Sequence, residues 1–202
     1  MSFLSIQSRT RVAEIASAFA IILFAYLLQA ELLTHFSITG LSCNLPLTFT
    51  IVWAAVFGSR LKPLTNEDLR SFTMGEIAFY QALSGSLSGA VVGALFAALY
   101  ATELPVYPIA YPLIGWITGY FTLKNITHGS FVIIPVVLCA SVLGEFFTGC
   151  QLFYLGRAHV FQHFQNLAMP EAILNALIAP ILYIPMRSWY DFAVSREDAQ
   201  EQ

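Results

Sequence analysis

Residues 77–101 read IAFYQALSGSLSGAVVGALFAALYA, a run of 25 residues without a charged side chain. A helix needs about 20 mainly apolar residues to cross the hydrocarbon core of a bilayer, so this run is long enough. One row of small residues recurs at every fourth position: Gly85, Gly89, Gly93 and Ala97. A second row lies beside it: Ala82, Ser86, Ala90, Ala94 and Ala98. We therefore predict a transmembrane helix with a close-packing face.

The first small-residue row, Gly85 to Ala97, has two interpretations. Small side chains let membrane helices approach closely, so the row can pack against another helix of this chain. The same geometry also suits a docking face for another membrane protein.

Composition places the whole chain in the same class as this segment. The 202 residues are 57% hydrophobic and only 10% charged, with a mean hydropathy of +0.70. Soluble domains carry roughly 25% charged residues. A protein with so few charged residues has a largely apolar surface, which lipid covers better than water does. Because each span takes about 20 residues, a chain of this length has no room for a separate soluble domain. We predict an all-α fold, with residues 1–202 forming a single polytopic membrane domain.

Hydrophobic runs predict about six spans. They lie near residues 13–33, 44–58, 77–101, 106–122, 131–155 and 171–187. The second span is short for a membrane crossing. The fourth contains Pro108 and Pro112, and because proline leaves a backbone carbonyl unpaired, this span is expected to pack against other helices.

The distribution of Lys and Arg predicts the orientation. With six spans and a cytoplasmic N-terminus, eight of these residues lie inside: Arg9, Arg11, Arg60, Lys62, Arg70, Lys124, Arg187 and Arg196. Only Arg157 lies outside. This is the bias that the positive-inside rule describes, and adding or removing a span would destroy it. Both termini are therefore predicted to be cytoplasmic, the last residues forming a short frayed tail.

Glu145 is the one carboxylate well inside a predicted span. A charged side chain at mid-membrane costs roughly 2.5 kcal/mol or more on insertion scales, so this side chain needs a polar partner or a polar cavity. Asn175 in the last span and Gln151 along the same span are candidate partners. We interpret the three as a polar clamp between the last two spans; a proton-relay or substrate role is the alternative.

Signals for catalysis, cofactors and metals are weak or missing in the sequence. No phosphate-binding loop, nucleophile elbow or paired-carboxylate motif occurs. His159 and His163 are four residues apart in the last external loop. Two histidines alone do not define a metal site. The loop around them, residues 158–168, fits an amphipathic helix on the outer membrane surface, or a docking segment for an external partner. The three cysteines lack metal or disulfide spacing and are predicted to be buried apolar side chains. We predict a non-enzyme with no cofactor, no metal and no nucleic-acid partner.

Several of these features occur in a familiar order. A Leu28-Gln29 pair near the end of the first span is followed by a short loop with Gly40, and Asn44 and Pro46 begin the second span. The glycine-rich stretch 85–93 (GSLSGAVVG), the step 115–119 (GWITG) and Glu145 come next. The final span contains residues 170–180, PEAILNALIAP. Over about residues 21 to 190, the chain resembles the rod shape-determining membrane protein family, MreD.

This resemblance implies a function and partners. It implies a non-catalytic subunit of the bacterial cell-elongation complex in the inner membrane, which takes part in peptidoglycan synthesis and rod shape determination. The partners it implies are a bitopic MreC-like protein, an MreB-like filament, a RodA-like polymerase and a penicillin-binding transpeptidase. It also implies a fold similar to the substrate-binding subunits of energy-coupling-factor vitamin transporters. A vitamin-binding transporter subunit is accordingly the alternative function, and it predicts a small molecule held near the outer face.

Overall fold

The computed structural model describes residues 19–21, 23–24, 27, 43–57, 70–77, 87–99, 106–122, 131–157 and 160–200. Over these residues the protein contains helices and no strands, which confirms the predicted all-α class. The five main helices are α1 (Leu45–Val56), α2 (Leu87–Leu99), α3 (Tyr107–Thr122), α4 (Ile133–Tyr154) and α5 (Met169–Gln200). A four-residue helix, Val160–His163, and a π-helical segment, Phe164–Ala168, lead into α5.

Two stretches are long and apolar enough to cross a membrane. They are Ile133–Tyr154, which is α4, and Phe164–Asp191, which includes most of α5. Leu45–Val56 and Leu87–Ala98 are shorter apolar helices. The predicted first span lies mostly outside the described residues, as does the first part of the third.

α5 differs from the prediction at its C-terminal end. The last span was expected over 171–187 with a frayed tail after it, whereas the helix continues without a break to Gln200. Residues 196–200 read REDAQ, and Arg, Glu, Ala and Gln are good helix formers. The helix therefore continues past the apolar stretch on its own propensity. Pro180 and Pro185 lie inside it without ending it.

α1 is the central element of the described bundle. It packs against each of α2, α3, α4 and α5, and ten of its twelve residues are buried. At 1.5 Å per residue it is about 18 Å long, shorter than the hydrocarbon core of a bilayer. The side chains of α1 contact other helices on all sides. A helix enclosed in this way can be shorter than a span that faces lipid.

Contacts near the helix ends show in which direction each helix runs relative to its neighbours. The start of α1 contacts α5 at Asn175, where the Asn44 N–H donates to the Asn175 Oδ1 atom at 2.8 Å. The end of α1 contacts α5 further along, where the rings of Phe57 and Trp189 are 5.4 Å apart. The two helices therefore run in the same direction. α2 runs opposite to α1, since the Ser88 hydroxyl near its start donates to the Phe57 carbonyl at 2.8 Å.

The remaining helices continue this alternation. α4 runs opposite to α3, because Gln151 near its end accepts a hydrogen bond from Val106 at 2.9 Å. It also runs opposite to α5, since α5 follows it through the short segment 160–168 and packs along it. The five helices thus alternate in direction along the chain, so the starts of α1, α3 and α5 lie at one end of the bundle with the end of α4. We call this the polar end, for the side chains described below.

Aromatic side chains fill the opposite end. Trp53 and Phe57 of α1 stack at 4.1 Å between ring centroids. Trp189 lies edge-on to both rings, and Tyr190 lies edge-on to Phe57. The Arg187 guanidinium lies 5.5 Å from the centre of the Tyr190 ring. Offset and edge-on aromatic contacts are favourable, so this cluster fixes the end of α1 against α5.

The outward faces of α4 and α5 carry large apolar side chains. On α5 the exposed positions carry large aliphatic side chains: Ile173, Leu177, Ile181 and Ile184. The same helix turns small or polar residues inward: Ala172, Asn175, Ala176 and Ala179. α4 likewise buries Ser141, Gly144 and Thr148 and exposes Phe146 and Phe153. A soluble protein normally places its large apolar residues inside. The pattern is inverted over residues 141–148 of α4 and 172–179 of α5, although α4 also buries Ile133 and Val137 and α5 also buries Tyr183 and Met186.

The cysteines follow this inverted pattern. Cys43 is buried, but Cys139 and Cys150 are exposed, so the prediction that all three are buried is wrong for these two. Both lie on the outward face of α4, on the side that carries Phe146. Their setting is still apolar, because large apolar side chains dominate that face.

The turn before the predicted third span is capped. The backbone N–H and the hydroxyl of Thr73 donate to the Glu76 carboxylate at 2.8 and 2.9 Å, and the Glu76 N–H donates to the Thr73 hydroxyl at 3.4 Å. This reciprocal capping box pairs backbone donors that the first turn of a helix leaves free. The two hydrogen bonds from Thr73 hold the pKa of Glu76 below its usual range.

Candidate functional site

Asn175 is the centre of a buried hydrogen-bond network at the polar end. Only 1% of its surface is exposed. Its Oδ1 atom accepts from the Cys43 thiol at 3.0 Å and from the Asn44 N–H at 2.8 Å. Its Nδ2 atom donates to the Ser141 hydroxyl at 3.3 Å. One amide therefore links α5 to α4 and to the residues that precede α1.

Asn44 extends this network to the first turn of α1 and to α3. Its Oδ1 atom accepts from the Leu47 N–H at 3.1 Å, the geometry of a helix N-cap. Proline lacks the N–H that the first turn leaves unpaired, so Pro46 suits this turn. The Nδ2 atom of Asn44 donates to the Tyr111 hydroxyl at 3.5 Å. The start of α1 is thus held by α3, α4 and α5 together.

A second group of polar side chains lies between α3, α4 and α5. The Tyr107 hydroxyl is hydrogen-bonded to the Thr148 side chain, and the carboxylates of Glu145 and Glu171 are close enough to interact with it. The two carboxylates also interact with each other. Tyr107 stacks on Tyr111 with the ring centroids 5.0 Å apart and the planes 7° from parallel.

The three residues of the predicted polar clamp lie in the polar half of the bundle but have separate partners. Asn175 bonds to Ser141, Cys43 and Asn44, and the Gln151 Oε1 atom accepts from the Val106 N–H. Within the described part of the chain no hydrogen bond joins Glu145, Asn175 and Gln151 to one another. Ser141, one helical turn before Glu145, is the α4 residue that pairs with Asn175. The Nε2 atom of Gln151 is buried and has no partner among the described residues.

The first small-residue row faces α3. A side chain at Gly93 would collide with the Tyr111 carbonyl and lie 2.9 Å from the Pro112 nitrogen. On the other helix, a side chain at Gly115 would collide with the Gly89 carbonyl. Ala97 is buried with 5% exposure, and Gly85 lies outside the described residues. From Gly89 to Ala97 this row therefore packs inside the chain, where the backbones of α2 and α3 meet.

The second small-residue row has a different environment. Ala90 is half-buried, whereas Ala94 and Ala98 are exposed. Leu87 begins the same outward side with 47% exposure. The outward face of α2 therefore carries alanine where the outward faces of α4 and α5 carry Phe, Ile and Leu.

Metal ligands do not cluster in the described structure. No group of three or more His, Cys, Asp or Glu residues that could hold a metal ion occurs within those residues. His159 lies outside the described residues, and of His163 the structure describes only the backbone.

Sequence reasoning found part of this site. It selected Asn175, Glu145 and Gln151, and it noted Asn44 with Pro46 at the start of the second span. It missed Ser141, Tyr107 and Thr148, which are isolated polar residues in apolar runs. A polar residue within an apolar helix is the signal that could have found them.

Comparisons with known proteins identify no relative. No family model matches the chain, and neither the curated proteins nor the solved structures contain a significant match.

Proposed function

We propose that this protein is a non-catalytic scaffold subunit of the bacterial cell-elongation complex, embedded in the inner membrane. The order of motifs in the sequence supports the family, one structural feature supports the membrane location, and another supports the scaffold role. One is the inverted polarity of α4 and α5, and the other is the outward row of alanines on α2. The second of these carries the proposal.

The inverted polarity supports a membrane location. Four aliphatic side chains on the outward face of α5 are at least half exposed: Ile173, Leu177, Ile181 and Ile184. In water such a face would be a strong aggregation hazard. In a bilayer the acyl chains cover it, and the small and polar residues inside provide close packing and hydrogen bonds between helices.

The helix directions support the six-span topology. In a six-span chain with a cytoplasmic N-terminus, spans two, four and six run inward and spans three and five run outward. α1, α3 and α5 share one direction, and α2 and α4 take the other. On this topology the polar end, with Asn44, Tyr107 and Glu171, faces the outside. The aromatic cluster around Trp189 faces the cytoplasm, and Trp and Tyr are enriched at such interfaces.

The outward alanine row supports docking of a partner helix. Ala94 and Ala98 lie one turn apart on an exposed face, and small residues at this spacing allow two helices to approach closely. The parallel row on the same helix already packs this way against α3, at Gly89 and Gly93. We propose that the single membrane helix of the bitopic, MreC-like partner packs on the Ala90–Ala94–Ala98 row.

Co-purification from native membranes tests this proposal. Ala94→Leu places a large side chain on the docking row and should reduce the recovered bitopic partner at least about tenfold, because close helix packing is lost. Cys139→Leu is the matched control, since it adds a similar side chain to an exposed position on α4. It should leave partner recovery unchanged.

Two outcomes would contradict the proposal at different levels. If the wild-type chain never retains a bitopic partner, the scaffold role is wrong. If Ala94→Leu retains as much partner as the wild type, the scaffold role survives and the docking face lies elsewhere.

A vitamin-binding transporter subunit is the second candidate. The observation that favours it is the group of Tyr107, Glu145, Thr148 and Glu171 near the polar end, where polar groups meet between helices. This function requires a small molecule to co-purify with the protein. Glu145→Gln with unchanged growth on limiting vitamins would count against it.

A further inference from the structure

We infer that the C-terminal tip of α4, residues 153–157, binds the phosphate group of a membrane phospholipid. The inference rests on the membrane location proposed above, and it adds a lipid-binding site to it. Phe153, Tyr154 and Arg157 carry the interaction.

The tip extends beyond the described elements that lie beside it. Gln151 already lies level with Val106, which directly precedes α3. Val160, which begins the next helical segment, packs beside Gly149, five residues before the end of α4. Phe153, Tyr154 and Leu155 consequently have 78%, 89% and 56% of their surfaces exposed.

The end of the helix holds Arg157 beside these aromatic residues. Gly156 adopts a left-handed conformation, with φ of 70°. The N–H groups of Gly156 and Arg157 donate to the Phe153 and Leu152 carbonyls, each at 3.0 Å. This is the Schellman arrangement that ends many helices, and glycine is the residue that adopts it at least cost. The chain folds back on the helix end, so Arg157 stays at the tip.

The chemistry of the tip suits a phospholipid headgroup. Tyr and other amphipathic aromatic side chains are stable where apolar and polar layers meet. Arginine binds phosphate with paired N–H donors. Arg157 has no carboxylate partner among the described residues. Arg187, by contrast, is paired with Asp191.

Continuity with the rest of α4 favours lipid over a protein ligand. Phe146 and Cys150 lie on the outward apolar face of the helix, and Phe153 continues that face to the tip. A phospholipid whose acyl chain covers Phe146 and Cys150 therefore brings its phosphate to the level of Arg157.

Native mass spectrometry of the full chain, titrated with phosphatidylglycerol in detergent, tests the inference. Arg157→Gln should weaken phosphatidylglycerol binding about tenfold, the effect expected from losing a charged hydrogen-bond donor. Arg187→Gln removes the same charge at a residue already paired with Asp191, and it should bind as the wild type does. Arg157→Lys keeps the charge without the paired donors and should fall between the two.

Different outcomes test the lipid site and the membrane location independently. Equal binding by wild type and Arg157→Gln, with both proteins in the membrane fraction, overturns the lipid site alone. Full displacement of the lipid by soluble glycerol phosphate would reveal a free-phosphate site and also overturn it. Recovery of the wild-type chain outside the membrane fraction would instead refute the proposed location. Unfolding midpoints measured without lipid will show whether the variants fold as the wild type does.

Discussion

Asn175 joins three parts of the described bundle at the polar end: α5, α4 and the residues that precede α1. It accepts hydrogen bonds from Cys43 and Asn44 and donates to Ser141. Asn175, Cys43 and Ser141 are buried, and Asn44 is half-buried. A buried polar group left without its partner costs free energy, so each of these four residues depends on the others. The network therefore holds the start of the central helix in position.

Replacing this side chain should destabilise the fold. Asn175→Ala leaves the Asn44 N–H and the Ser141 hydroxyl without partners, and we expect a loss of roughly 1–3 kcal/mol in the free energy of unfolding. The measurement is the thermal unfolding midpoint of the purified protein in detergent.

A nearby outward residue is the matched control for Asn175. Leu177→Ala changes an exposed position on the same helix and should shift the free energy of unfolding by only about 0.5 kcal/mol. Equal midpoints for Asn175→Ala and Leu177→Ala would show that the network contributes nothing to stability.

Individual residues were predictable where their role is local. Asn44 and Pro46 form a helix start that can be identified from adjacent positions alone. The partners of Asn175 were not predictable, because Asn44 lies 131 residues away and their meeting depends on how the helices pack. Glu145 attracted attention as the only acid well inside a span, yet the partner of Asn175 on that helix is Ser141.

At the scale of helices, the pairing of α2 with α3 is the closest contact in the described bundle. Gly89 and Gly93 face Gly115 and the turn at Tyr111 and Pro112, so that backbone lies against backbone. Pro112 has no N–H, and Gly93 has no side chain to keep the two helices apart. The contact thus depends on glycine at positions 93 and 115, where an added Cβ would meet backbone atoms of the other helix.

An added methyl group should disrupt this pair. The Cβ of Gly115→Ala would overlap the Gly89 carbonyl, and such overpacking typically costs about 1–3 kcal/mol of stability. Gly75→Ala is the matched control, because no atom lies within 4 Å of the added Cβ. That change should be neutral or slightly stabilising, since alanine favours helices over glycine. A stability for Gly115→Ala equal to that of the wild type would mean that α2 and α3 can move apart freely.

Periodicity predicted both small-residue rows of α2, but it could not distinguish their surroundings. The rows are equally small and lie side by side on the helix, so the sequence offers no signal for which one faces inward. Large apolar residues face outward on parts of α4 and α5, so the usual rule of apolar residues inside would also have assigned those parts the wrong face.

For the whole molecule, the alternating helices and the distribution of Lys and Arg lead to one orientation. In the proposed six-span topology the polar end lies on the outer side, and α5, which continues to Gln200, ends on the inner side. Hydrophobic runs predicted the number of spans, but they could not show that α1 is enclosed by the other helices. That enclosure explains how a helix of twelve residues would fit the proposed membrane bundle.

Reporter fusions test this orientation. A cytoplasmic reporter fused after Gln202 should be active, and a periplasmic reporter inserted after Arg157 should also be active, because an odd number of spans separates the two sites. Activity of the periplasmic reporter at Gln202 would overturn the six-span topology while leaving the helix packing unaffected.

Depletion of the protein in its native rod-shaped cell tests the central claim most directly. If the chain is a scaffold of cell-wall elongation, cells should lose their rod shape and become round as the protein is diluted, and the wild-type gene should restore rods. Cells that remain rod-shaped after depletion but lose uptake of one vitamin would contradict the account.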